Sequence, residues 1–75
     1  MSKTVLNVTG LSCPLPVLHA QKAMKGLPPG AVVEIQATDP AVVQDIDAYC
    51  RSSGSALISQ REEGGVFTVE IRKGG

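Results

Sequence analysis

The segment Cys13-Pro14-Leu15-Pro16 contains two prolines separated by a single residue, a spacing that few regular structures tolerate. Proline has a fixed φ and no N–H group, so it interrupts helix interiors and central strands but fits the first turn of a helix. The run before this segment, Thr4 to Thr9, is short, rich in β-branched residues and stops at Gly10. These residues therefore predict that a first strand gives way to a first helix at Cys13.

The residues after Pro14 follow a helical repeat. One face is apolar and carries Val17, Ala20, Met24 and Leu27. The other face carries His19, Gln21, Lys22 and Lys25. We predict an amphipathic helix from Pro14 to Lys25, with Pro14 at its first position and Gly26 as a left-handed cap.

A second strand and a second helix follow in the same order. Ala31 to Thr38 alternates between apolar and polar side chains, which is typical of a strand with one buried face. Asp39-Pro40 combines a preferred N-cap residue with a proline suited to the first helical position. We predict a second helix from this point to about Ser52, closed by Gly54.

Two further strands complete the pattern. Ser55 to Arg61 and Val66 to Arg72 are separated by Glu62-Glu63-Gly64-Gly65, whose glycines favour a hairpin loop. The alternating residues Phe67, Val69 and Ile71 indicate the inward face of the last strand. The element order is therefore βαβαββ, in one domain spanning residues 1–75. Two βαβ crossovers would place both helices on one face of a four-stranded mixed sheet, which is an α/β (α+β) architecture.

The charge balance and the cysteine count exclude several classes of function. Seven basic and seven acidic residues give a formal net charge of zero, so we expect neither direct nucleic-acid binding nor binding to anionic membranes. Two cysteines and one histidine, His19, are too few for a zinc site, and we expect no metal and no cofactor. With no signal peptide evident after Met1, the expected location is the cytoplasm, where thiols stay reduced.

Cys13 is the candidate nucleophile. Cysteine is a poor N-cap residue, so its place at a helix start suggests a role other than helix stability. A thiolate there would face the positive end of the helix dipole and the N–H groups of Leu15 and Val17, which favours the reactive form. The residues alone leave a second interpretation open, in which Cys13 is a small hydrophobe packed under the turn.

Cys50 has a different setting, because it lies on the predicted apolar stripe of the second helix with Val43, Ile46 and Tyr49. We expect it in the core. The predicted helices run in the same direction, so Cys50, near the end of one, should lie too far from Cys13, at the start of the other, to form a disulfide.

Taken together, these features resemble those of the TusA/SirA-type sulfur carrier (sulfurtransferase) family over nearly the whole chain. The signature is Cys-Pro-x-Pro after the first strand, here Cys13 to Pro16. The other matching positions are Pro29-Gly30, Thr38-Asp39-Pro40, Asp45-Ile46, Cys50, Gly54 and the closing Ile71 to Gly75. One departure concerns the residue between the prolines, which is often acidic in the family and is Leu15 here, and another is Ser12, where a basic residue is common.

The resemblance implies a two-layer sandwich like the C-terminal domain of translation initiation factor three. It also implies that Cys13 carries sulfur as a persulfide, with Pro14, Leu15 and Pro16 supporting the helix tip. The implied partners are a donor protein, such as a cysteine desulfurase or a rhodanese, and an acceptor protein with a reactive cysteine. The implied pathways are tRNA thiolation, molybdenum cofactor assembly and sulfur oxidation, and we expect a monomer.

Two other functions remain open from the sequence. Gly74-Gly75 resembles the tail of ubiquitin-like carriers, which hold sulfur as a C-terminal thiocarboxylate, although a flexible tail is a simpler explanation of these glycines. The chain can also be a non-catalytic interaction or regulatory domain that uses its open sheet face. Leu15 likewise has two interpretations, as part of an apolar docking patch or as a residue packed against the sheet.

Overall fold

The computed structural model describes residues 3–12 and 14–74. Within them the chain forms four strands and two helices in the order βαβαββ. The strands are β1 (Lys3–Asn7), β2 (Val32–Ala37), β3 (Ala56–Glu63) and β4 (Val66–Arg72). The helices are α1 (Leu15–Lys25) and α2 (Val42–Ser53). This confirms the predicted fold class, a mixed sheet with two helices.

The strand order in the sheet is β1-β2-β4-β3, so the last strand is inserted next to the second. β1 and β2 are parallel, whereas β4 is antiparallel to both of its neighbours. The second crossover is therefore split, with β4 lying between β2 and β3. Because parallel strands require a crossover and the closing hairpin does not, the two connection types produce the mixed sheet.

The core lies between the sheet and the two helices. Its centre consists of aliphatic residues from the inward faces of β2 and β4, Val33, Ile35, Val69 and Ile71, which have no exposed surface. The helices cover them with Ala20, Met24, Val42, Ile46 and Cys50. The alternation predicted for both strands thus identifies the inward face correctly.

Several element boundaries differ from the predictions by one or two residues. The hairpin is tighter than expected, because Glu62 and Glu63 belong to β3 and only Gly64-Gly65 form the turn, with φ of 59° and 85°. The second helix starts at Val42, because Asp39 first closes a turn by accepting a hydrogen bond from the Ala41 N–H at 3.0 Å.

The first helix is also one residue shorter at its start. Leu15 is its first residue, and Pro14 is the N-cap with φ −97°. Gly26 ends the helix with φ −89°, so the left-handed cap predicted there is wrong. The Gly26 N–H instead donates to the Ala23 carbonyl at 3.3 Å, and the Leu27 N–H donates to the Met24 carbonyl at 3.1 Å. The Lys73 ammonium donates to the carbonyl of Leu27 just beyond.

Candidate functional site

The candidate site is the connection from β1 to α1, which begins with a set of local hydrogen bonds. Asn7 ends β1, and its side-chain oxygen accepts from the N–H of Thr9 at 3.1 Å and from the Thr9 hydroxyl at 2.7 Å. The buried Val8 extends the pairing with β2 by donating its N–H to the Gln36 carbonyl at 2.8 Å. This part of the connection is therefore attached to the sheet.

A threonine from the end of β2 supports the next step. The hydroxyl of Thr38 accepts a hydrogen bond from the N–H of Gly10 at 2.9 Å. Gly10 has a φ of 82°, a conformation that glycine adopts without steric cost. No local pattern in the sequence indicates this role of Thr38, since the contact joins residues 28 positions apart.

The catalytic residue predicted from the sequence, Cys13, lies outside the described residues. Its sequence neighbours are held in place on both sides. The Ser12 carbonyl accepts a hydrogen bond from the Leu15 N–H at 2.9 Å, and the Pro14 carbonyl accepts from the Leu18 N–H at 3.1 Å. The expectation that the Leu15 N–H is available to a thiolate is therefore wrong, because a turn already uses it.

The two prolines of the signature have different environments. Pro14 is exposed at the N-cap, whereas Pro16, at the second helical position, is fully buried in the core. Neither proline removes a hydrogen bond from the helix, because the first four N–H groups of a helix have no partner within it. Pro16 thus fixes the tip of α1 to the core while Pro14 stays at the surface.

Two leucines beside the signature are exposed. The side chain of Leu15 has 42% of its surface accessible and that of Leu18 has 51%. Of the two interpretations of Leu15, the structure thus favours a place in an exposed apolar patch. Leu18 is not among the residues predicted for the site, although its spacing of three from Leu15 puts the two on one helix face.

The first turn of helix α1 contains no acidic side chain among the described residues. The lysines of the helix, Lys22 and Lys25, lie in its last turn. Among the described residues of α1, no acidic side chain therefore opposes the positive end of the helix dipole, and the carboxylate nearest to Pro14 in the adjoining groove is that of Asp45 on α2. An anion beside Pro14 would therefore be stabilised by the dipole.

Comparison with known proteins identifies the family. The model of the family described as sulfurtransferase TusA matches residues 4–73. The chain belongs to this TusA family. The chain is 43% identical over 68 residues to the sulfur carrier protein TusA of Allochromatium vinosum, covering 91% of this chain and 90% of that protein. It is 39% identical over 69 residues to the protein of the same name from Pseudomonas aeruginosa, covering 92% and 87%.

A solved structure supports the same assignment for the fold. The crystal structure of a SirA-like protein from Desulfitobacterium hafniense superposes with a TM-score of 0.79 at 27% sequence identity. The match covers 96% of this chain and 99% of that one. The resemblance to the TusA/SirA type is thus confirmed by sequence and by fold, and the chain is a TusA-type sulfur carrier.

The second cysteine of this TusA-family chain is a core residue. Cys50 is only 2% exposed and lies on α2, as predicted. Burial raises the pKa of its thiol, and the nearby Asp47 carboxylate adds to this effect. A thiol that is buried and protonated at neutral pH is a poor nucleophile.

A shallow groove runs between the two helices beside the signature. It has a volume of about 460 Å³. Its lining includes Pro14, Val17 and Gln21 of α1, with Asp45, Ala48, Tyr49 and Ser52 of α2.

Neither helix, within the part of the chain that the structure describes, is long and apolar enough to cross a membrane.

Proposed function

We propose that the protein accepts sulfane sulfur as a persulfide on Cys13 and passes it to a cysteine of a downstream protein. Membership of the TusA family supports this proposal, because the family match spans the Cys13 to Pro16 signature, and the resemblance implies that the cysteine of this signature carries the sulfur. The donor is a protein persulfide, for which a cysteine desulfurase or a rhodanese is the expected source. The acceptor is a protein with a reactive cysteine.

The transfer consists of two exchanges that balance in atoms and electrons. The Cys13 thiolate attacks the outer sulfur of the donor persulfide, forming Cys13–S–SH and releasing the donor cysteine as a thiolate. An acceptor thiolate then attacks the outer sulfur of Cys13–S–SH, forming its own persulfide and returning Cys13 to the thiolate. Each step follows the course of thiol–disulfide exchange and needs no external oxidant or reductant.

The setting of the helix tip supports a nucleophilic Cys13. The tip is fixed to the core by the buried Pro16, and the described residues contribute no acidic side chain to the first turn. Because the dipole of α1 favours a negative charge at this end, the thiolate needs no separate general base. His19 lies exposed on α1, away from the core, and has no place in this scheme.

A thiocarboxylate on the C-terminal glycines is disfavoured by the packing of Gly74. Its N–H donates to the Ser55 hydroxyl at 3.2 Å, and its α-carbon faces the carbonyl of Gly54 so closely that a Cβ would overlap it. The tail is therefore held against the sheet as far as Gly74, contrary to the expectation of a flexible tail. Gly75 lies outside the described residues.

The alternative of a non-catalytic interaction domain makes a different prediction about thiol reactivity. In that case Cys13 reacts with an alkylating reagent as an ordinary thiol, with a pKa near the reference value of about 8.5. In a sulfur carrier, the rate profile against pH has its midpoint below that value, because the helix tip stabilises the thiolate.

We further propose that the protein works in the cytoplasm, where reduced thiols persist.

Intact-protein mass spectrometry tests the proposal directly. After incubation with a cysteine desulfurase and free cysteine, or with inorganic polysulfide, the protein should gain one sulfur mass that reductant removes. The change Cys13→Ser should abolish the gain, whereas Cys50→Ala should retain it because Cys50 is buried. A sulfur adduct that persists in Cys13→Ser, or loading that depends on Cys50, would contradict the assignment.

A further inference from the structure

The exposed face of α1 changes from apolar to basic along the length of the helix. Four exposed residues with spacings of three, four and three share one line of the helix surface. They are Leu15, Leu18, Lys22 and Lys25, which we call the α1 outer face. The leucines are next to the signature and the lysines are at the far end.

The lysines of the α1 outer face have no acidic residue near them in the sequence. The chain has no acidic residue before Glu34, although its overall net charge is zero. Among residues 3–12 and 14–74, ion pairs involve other cations, and neither Lys22 nor Lys25 forms one. Helix α2, in contrast, carries Asp45 and Asp47 against the single Arg51. The basic charge of the helix layer is therefore concentrated on α1.

We propose that the α1 outer face docks a partner segment with apolar side chains beside its reactive cysteine and acidic side chains farther along. This inference rests on the proposed persulfide on Cys13 and names the chemistry of the protein that exchanges sulfur with it. The apolar end covers the two leucines, and the acidic end pairs with Lys22 and Lys25. Charge complementarity selects this occupant, since a basic segment would be repelled by the lysines.

The dimensions of the helix define the spacing in the partner. Lys22 lies about 10 Å along the helix axis from Leu15, and Lys25 about 15 Å, at 1.5 Å per residue. An extended segment spans about 3.3 Å per residue. Positions four and five from the partner cysteine lie about 13 and 16 Å from it, close to the spacing of the lysines, and successive side chains of an extended segment point to opposite faces. An acidic pair at these positions therefore presents one carboxylate to the lysines in either orientation, while an apolar residue beside the cysteine covers the leucines.

Synthetic acceptor peptides test this inference without a known partner. The acidic peptide is Glu-Glu-Ser-Gly-Leu-Cys-Leu-Gly-Ser-Glu-Glu, which presents the same pattern in both chain directions, and the basic peptide has lysine at every glutamate. Protein loaded with sulfur from inorganic polysulfide is mixed with each peptide. Mass spectrometry follows the transfer, in which the peptide thiolate takes the outer sulfur and Cys13 returns to the thiolate.

The acidic peptide should accept sulfur about threefold to tenfold faster than the basic one at low salt, because an exposed attraction to the lysines is replaced by repulsion of like charges in the basic peptide. The preference should shrink at high salt, because the screening length falls from about 10 Å at 0.1 M to about 3 Å at 1 M. The double change Lys22→Glu with Lys25→Glu should reverse the preference. Arg72→Glu, which alters an exposed cation on β4, should leave it unchanged.

The apolar end has its own matched pair of variants. Leu18→Ser should slow transfer to the acidic peptide about threefold or more, since the change removes an aliphatic side chain that the partner segment covers. Ile58→Ser removes an equally exposed aliphatic side chain from β3 and should have no effect. Equal rates for the acidic and basic peptides, or equal effects of these two changes, would overturn the inference.

A binding measurement separates failure of docking from failure of sulfur loading. The same two peptides, with serine in place of cysteine, are titrated into ¹⁵N-labelled protein and followed by amide chemical shifts. Shifts confined to α1 with the acidic peptide alone support the inference even if Cys13 takes up no sulfur. Absence of such shifts overturns it even if loading succeeds, in which case the proposed sulfur carriage stands.

Discussion

The structural role of individual residues in this protein is set by neighbours in space that are distant in sequence, and Gly74 is the clearest case. Its α-carbon lies so near the carbonyl of Gly54 that no side chain fits between them. Its N–H bonds to the Ser55 hydroxyl, which joins the end of β4 to the start of β3. In the sequence, the same glycine is indistinguishable from a flexible tail.

We predict that Gly74→Ala destabilises the protein by roughly 1–3 kcal/mol, the range for forcing extra volume into a filled site. Urea denaturation followed by circular dichroism measures the free energy of unfolding. The control is Gly26→Ala, because Gly26 has a φ of −89° and a Cβ there has its nearest neighbour at 3.9 Å. Equal stability of the two variants would show that the contact with Gly54 is not restrictive.

The elements of the open sheet face are joined by one small charge cluster. Glu34 on β2 lies directly opposite Glu70 on β4, a pairing of like charges that is unfavourable by itself. The Lys3 ammonium of β1 lies between them, 2.9 Å from the Glu34 carboxylate and 3.7 Å from that of Glu70. Gln36 adds a hydrogen bond to Glu34 at 2.8 Å. Three neighbouring strands are thus linked through Glu34, which is buried.

Because of this cluster, the stability of the folded protein depends on pH in the acid range. The hydrogen bond from Lys3, followed by the one from Gln36, holds the pKa of Glu34 below its usual value. A lowered pKa in the folded state contributes stability above the unfolded value of about 4.3, and that contribution is lost as the pH falls through the folded value. The pKa of Lys3 is raised by the same contact, so its effect is lost only in strong alkali.

We predict that Glu34→Gln lowers the free energy of unfolding at pH 7. The variant should also lose less stability than the parent protein between roughly pH 5 and pH 3, a range set by the reference pKa of a glutamate side chain. The effect at pH 7 should be at most about 1 kcal/mol, because Lys3 is largely solvated. Denaturation midpoints across this pH range provide the measurement. Glu63→Gln, at an exposed position beside the hairpin, is the control and should keep the parent profile. A parent-like profile in Glu34→Gln would refute the role of the cluster.

The molecule as a whole is organised around its last strand. β4 is inserted between β2 and β3, so residues 66–72 occupy the middle of the sheet. Ile71 lies between Val33 on one side and Leu57 on the other and has no exposed surface. Beyond it, Lys73 exchanges two backbone hydrogen bonds with Gly30 and Ala31, at 2.9 and 2.8 Å. The end of the chain therefore completes the core.

We predict that Ile71→Ala costs about 2–5 kcal/mol, the usual range for removing a buried aliphatic side chain. A chain of this length has a total stability of roughly 4–11 kcal/mol, so a large part of it is lost. Ile58→Ala, which truncates a half-exposed side chain on the same sheet, should change stability by less than about 0.5 kcal/mol. Chemical denaturation measures both, and similar losses in the two variants would be inconsistent with a central β4.

Much of the fold and part of the site could be predicted from the sequence because the responsible rules are local. The fixed φ of Pro14 and Pro16, the period of the apolar residues and the glycines of the hairpin act within a few positions of the chain. They were sufficient for six elements in the correct order, for the inward face of β2 and β4, and for a buried Cys50. Boundaries shifted by one or two residues where a turn, such as the one at Asp39, competed with the helix start.

Other properties depend on contacts between distant segments and became visible only in the tertiary structure. The position of β4 in the sheet follows from pairing across the whole chain, and the burial of Glu34 depends on Lys3, 31 residues away. The exposure of Leu15 and Leu18 depends on which face of α1 the core covers. Local patterns determine which elements form, but the packing of those elements against one another decides which side chains remain available to a partner.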